Sequence, residues 1–125
     1  MMNDEMLDDR HDLKRRTKRW TLSVIRLYST LPRPTEAQVI GKQALRSGTS
    51  VGAHYREATR ARSNAEFVSK IECGLQELEE TRYWLELMTE SGIVTQEKLQ
   101  DLFREAEELT SIFVASAKTA KKGIR

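Results

Sequence analysis

TKRWTLSVIRLYSTLPRPTEAQVIGKQALRSGTSVG, residues 17–52, spells out one helix, its stop and the start of a second. Thr17, Trp20, Val24, Leu27 and Leu31 are spaced 3, 4, 3 and 4 residues apart, the period of a helix that buries one stripe against partners. That helix is expected from about Asp12 to Thr30. Leu31-Pro32-Arg33-Pro34 stops it, because proline lacks an N–H and pushes the residue before it out of helical geometry. Thr35, with Gln38 three residues on, has capping-box spacing and opens helix two. Ile40, Ala44, Ser47, Val51 and Ala58 form one stripe of it, and Gly41, Leu45, Gly48 and Gly52 a neighbouring one. Each glycine costs about 1 kcal/mol of helix propensity relative to alanine, so close approach of another backbone is the expected compensation. A phosphate-cradling glycine loop would need a preceding strand, which this pattern lacks.

The same grammar repeats downstream. Ser63 and Glu66 have capping-box spacing and open helix three, with Phe67, Ile71, Gly74, Leu75, Leu78, Leu85 and Met88 as its apolar stripe. Ser91-Gly92 supplies a C-terminal stop. Thr95 caps helix four, where Leu99, Leu102, Ala106, Leu109, Phe113, Ser116 and Ala120 alternate threes and fours. Four amphipathic helices with short connections make neighbours antiparallel, so the fold expected is an all-α, antiparallel up-down-up-down four-helix bundle. Residues 1–125 are read as a single domain, with 1–11 and 119–125 frayed or disordered for want of periodicity.

Composition bounds the remaining classes. A chain of 125 residues with a single cysteine, Cys73, has no internal disulfide or cysteine metal cluster, which points to a reducing, cytoplasmic setting. No apolar run approaches the ~20 residues of a membrane span, and the opening MMNDEMLDD is acidic where an export signal is basic and then apolar. The net charge of +2 hides a division along the chain. From Lys14 to Arg62, twelve Lys/Arg stand against Glu36 and Glu57 alone; from Glu66 to Glu108, twelve Asp/Glu stand against Lys70, Arg82, Lys98 and Arg104. Basic and acidic helices are encoded separately.

Across the junction of helices two and three the small-residue run Arg46-Ser47-Gly48-Thr49-Ser50-Val51-Gly52-Ala53 is followed by Tyr55-Arg56-Glu57-Ala58. A helix start at Ser63 to Phe67 comes next, and then Glu80-Thr81-Arg82-Tyr83-Trp84-Leu85 ahead of the Gly92 turn. This pattern resembles the 23S rRNA intervening-sequence proteins. His54 stands where that family usually has asparagine. The resemblance implies an antiparallel four-helix bundle assembled as a cyclic homopentamer. Through a related subgroup, the accessory proteins of diversity-generating retroelements, it also implies association with RNA, DNA or a reverse-transcriptase-like partner.

No constellation of catalytic residues emerges, and no catalytic or metal site and no cofactor is expected. His54 and Glu57 lie at i, i+3, the reverse of the Glu-x-x-His order of di-iron bundles, and only one copy is present. Cys73 has no basic neighbour in sequence and reads as a small core residue. Glu77, Glu79, Glu80, Glu86 and Glu90 read as a solvated or ion-pairing face. A helix-turn-helix DNA reader needs short helices and a tight turn, whereas Ala61-Arg62 joins two long ones.

Two readings of the basic half stay open. Lys14, Arg15, Lys18 and Arg19 on helix one, with Arg46, Arg56, Arg60 and Arg62 on and after helix two, form a stripe that would bind a phosphate backbone. Alternatively they pair with the acidic helices, within or between subunits. Gly48, Val51, Gly52, Tyr55 and Trp84 are assigned to helix or oligomer packing. The function expected is a non-enzymatic oligomer that scaffolds or binds structured nucleic acid or a nucleic-acid-processing partner. The alternative is a protein-interaction module that uses the acidic face.

Overall fold

The computed structural model describes residues 4–123, with side chains from Leu13 onward. Four helices follow in chain order: α1 (Asp4–Ser29), α2 (Thr35–Thr59), α3 (Asn64–Glu90) and α4 (Gln96–Lys121). No strand occurs among the described residues. Each helix packs on its chain neighbour and α4 returns to α1, which closes an antiparallel four-helix bundle. The α2–α3 seam is the most closely packed and the α1–α4 seam the most open.

Two helix boundaries differ from the sequence reading. α1 begins at Asp4, eight residues ahead of the expected start. α4 runs on to Lys121, with Lys118 and Lys121 favourably placed in its last turn.

The caps differ in kind. At α2 the Thr35–Gln38 box does not form: Pro34 is the N-cap, and Gln38 instead donates its side-chain Nε2 to the Pro32 carbonyl, 2.8 Å away. Pro34 has no side-chain acceptor, so the first-turn amides of α2 receive no side-chain cap from it. At α3, Ser63 Oγ accepts from the Glu66 amide at 3.1 Å, while the Glu66 carboxylate accepts from the Arg62 amide at 3.4 Å rather than from that of Ser63. Thr95 is the N-cap of α4 without a side-chain hydrogen bond. The glycine stop after α3 is a full Schellman closure: Gly92 has φ +78°, its N–H reaches Thr89 O at 3.2 Å, and the Ile93 N–H reaches Met88 O at 2.9 Å.

The core follows the predicted stripes with local changes. Trp20, Val24, Val51, Ile71, Leu78, Leu109 and Phe113 centre one apolar cluster; Ala44, Leu85, Met88 and Leu99 centre a second. Ala117 takes the buried place expected of Ser116 and Ala120, and Phe67 and Leu75 are only half-buried. One turn from each cluster, Ser47 Oγ and Thr81 Oγ1 meet at 2.7 Å across α2 and α3, both fully buried. Each also lies within hydrogen-bond distance of the carbonyl four residues back, so the pair is satisfied whichever hydroxyl donates across the seam.

Gly48 explains how α1 and α2 come together. A Cβ there would stand 2.8 Å from Val24 Cγ1, closer than real side chains approach. The bare backbone also lets the Trp20 indole N–H donate to the Gly48 carbonyl at 3.0 Å. Gly48, Val51, Gly52 and Tyr55 are all buried within the protomer, and Tyr55 stacks on Phe113 with centroids 5.9 Å apart. Trp84 is half-buried and donates Nε1–H to Glu80 Oε2 at 3.0 Å.

Candidate functional site

The eight basic residues singled out in the sequence are all exposed, and antiparallel packing brings most of them to one end of the molecule. Gly52 faces Thr17 and Thr21, which sets the Lys14–Lys18 turns of α1 beside the Gly52–Arg60 turns of α2. Arg62 lies just beyond, in the α2–α3 connection. Lys14 and Lys18 share a face of α1 at i, i+4, as do Arg56 and Arg60 on α2. Arg15, Lys18 and Arg19 border a shallow hollow with the half-exposed Leu22.

These cations divide by partner. Arg46, though exposed, is paired with Glu80, with Glu77 3.9 Å off, and Glu80 is shared with the Trp84 indole. Arg16, which the site prediction omitted, grips Glu105 with two hydrogen bonds of 2.6 and 3.2 Å and reaches Glu108 at 3.0 Å. Lys14, Arg15, Lys18, Arg56, Arg60 and Arg62, in contrast, make no side-chain ion pair with the described residues. Two arginines thus pair with the acidic helices, and six cations make no ion pair among the described residues.

Of the two carboxylates on the basic half, Glu57 lies nearest this cluster, and it is occupied. Lys70 of α3 donates to Glu57 Oε2 at 2.8 Å. That hydrogen bond holds the Glu57 carboxyl below its ordinary range, outweighing the opposite push of burial, and raises the Lys70 ammonium above its own. His54 Nδ1 lies 3.3 Å from Glu57 Oε1 without the alignment of a hydrogen bond. His54 is thus a seam residue between α2 and α3, beside Gly74. Cys73 is free and half-buried. Among the described residues no group of three His, Cys, Asp or Glu is placed to hold a metal ion, and no helix is long and apolar enough to cross a membrane.

The topology adds cations that the candidate list lacked. α4 ends beside the start of α3, where Lys121 approaches Glu72 at 3.6 Å, so Lys118 and Lys122 join the end of the bundle that carries Arg56, Arg60 and Arg62. The signal was present in the sequence as a basic tail; its place beside α2 follows only from the alternation of helix direction.

The overall pattern agrees with a family model described as 23S rRNA-intervening sequence protein, which matches residues 10–115. The chain belongs to the 23S rRNA-intervening sequence protein family. A solved relative within this family's fold is a protein of unknown function from the S23 ribosomal protein family of Bacteroides thetaiotaomicron. It is 34% identical, the match covers 84% of this chain and 97% of that one, and the TM-score is 0.79. No curated protein matches. Membership in the 23S rRNA-intervening sequence family accounts for the bundle and the small-residue α2, and it carries no activity with it.

Proposed function

We propose that this protein is a non-enzymatic homo-oligomer, a pentameric ring by family resemblance, whose basic α1–α2 end binds structured nucleic acid or docks a nucleic-acid enzyme through it. The observation that carries the reading is the set of six exposed cations without ion-pair partners among the described residues, beside a Glu57 already neutralised by Lys70. Lysines and arginines that are free of carboxylates release counterions from a phosphate backbone on binding, and ring symmetry would multiply the effect.

The test is affinity for RNA and DNA as a function of salt. Wild type is expected to show a steep dependence, and Arg56→Ala with Arg60→Ala to flatten the log–log slope by about 2. Absence of binding at about 50 mM salt, where this electrostatic term is strong, defeats the proposal. A second reading rests on Tyr83, 52% exposed between Glu79 and Glu86 on α3: a ring set in a negative face suits a basic protein partner. Capture that survives nuclease and is lost on Glu79→Lys would favour it.

A further inference from the structure

The unpaired cations share their face with an aliphatic side chain and with no exposed ring. Leu22 of α1, beside Arg15 and Lys18, is the large apolar residue exposed there. The one aromatic residue exposed among the described residues is Tyr83, on the acidic α3. Tyr55, the ring next to Arg56, is buried against Phe113.

Proteins that hold single strands combine positive charge with rings on which unstacked bases lie. This face has the first and lacks the second. Its cations stand mostly on rigid helices at fixed intervals: Lys14 and Lys18 on α1, like Arg56 and Arg60 on α2, are four residues and so about 6 Å apart along the helix axis, with Arg62 just beyond. Such an array, with no exposed ring among the described residues beside it, gives the bases of a flexible strand nothing to stack on, but it can face the regular phosphates of a paired helix.

Resting on the nucleic-acid reading above, we infer that the ligand is a double helix, contacted through its phosphates and not through its bases. Phosphate contacts set position and carry no sequence information, so base sequence has little effect on affinity.

The experiment compares duplexes of about 20 base pairs, RNA and DNA, with unstructured single strands of equal length, by anisotropy at matched salt. The duplexes are expected to bind more tightly by about tenfold, since the single strand forgoes base–ring stacking, and scrambling the duplex sequence to change nothing. The RNA and DNA arms tell which backbone is preferred. Leu22→Trp, which adds a ring among Arg15, Lys18 and Arg19, is expected to raise single-strand affinity and leave duplex affinity unchanged. Single strands bound as tightly as duplexes by the unaltered protein overturn the inference while leaving the nucleic-acid reading intact. Binding of neither overturns both.

Discussion

A methyl group at Gly48 separates two opposing effects in one substitution. Gly48→Ala gains about 1 kcal/mol of helix propensity, but its Cβ meets Val24 Cγ1 at 2.8 Å in a packed seam, where overpacking costs about 1–3 kcal/mol. The expected result in urea denaturation is net destabilisation, relieved when Val24→Ala makes room. Gly52→Ala meets Thr21 Oγ1 at 3.3 Å and Thr17 at ordinary van der Waals distances, and is expected to fall between neutral and about 1 kcal/mol stabilising. Glu57 and Lys70 give a pH signature. A carboxyl held low when folded stabilises above its ordinary value of 4.5 and loses that contribution as pH falls through the folded value. An ammonium held high stabilises below 10.5 and loses its contribution as pH rises through the folded value. Stability measured against pH should therefore show wild type above Glu57→Gln across neutral pH, with the curves converging at both extremes.

At the scale of elements, the seams differ in what holds them. α1 meets α2 through glycine-allowed contact and the Trp20–Gly48 hydrogen bond, whereas it meets α4 across an open groove of about 490 Å³ lined by Arg16, Trp20, Asp101, Leu102 and Glu105. Arg16 spans that groove in paired hydrogen bonds with Glu105, at side-chain exposures of 18% and 27%. Arg16→Ala is expected to lower stability by about 1 kcal/mol, a value near the upper end for ion pairs with some solvent access. Hydrogen exchange should quicken in α1 and α4 before it does in α2 and α3. Uniform acceleration across all four helices would show that the groove is not a separate weak seam.

For the whole molecule, the division of charge along the chain becomes a division in space, with the Lys14–Arg62 stretch of α1 and α2 basic and the Glu66–Glu108 stretch of α3 and α4 acidic. Opposite charge on the two halves of one chain suits head-to-tail contacts, which form rings where the rotation closes. Light scattering is expected to return a mass several times the 14.4 kDa of one chain, falling as salt screens the contact. A monomer at micromolar concentration in low salt would remove the oligomer from the proposal.

Helix number, direction and most of the core were legible in the sequence, because the apolar stripes and the stops at Pro32–Pro34 and Gly92 are local physics. So was the separation of positive from negative helices, which is a property of order along the chain. Which cations stay unpaired was not legible: Arg16 and Arg46 look no different in sequence from Arg56 and Arg60, and only the register between helices hands them Glu105 and Glu80. The same register brings the α4 lysines to the α2 terminus and fits Gly48 against Val24. Periodicity dictates which face of a helix is buried; the partner across each seam is chosen by packing between segments far apart in the chain.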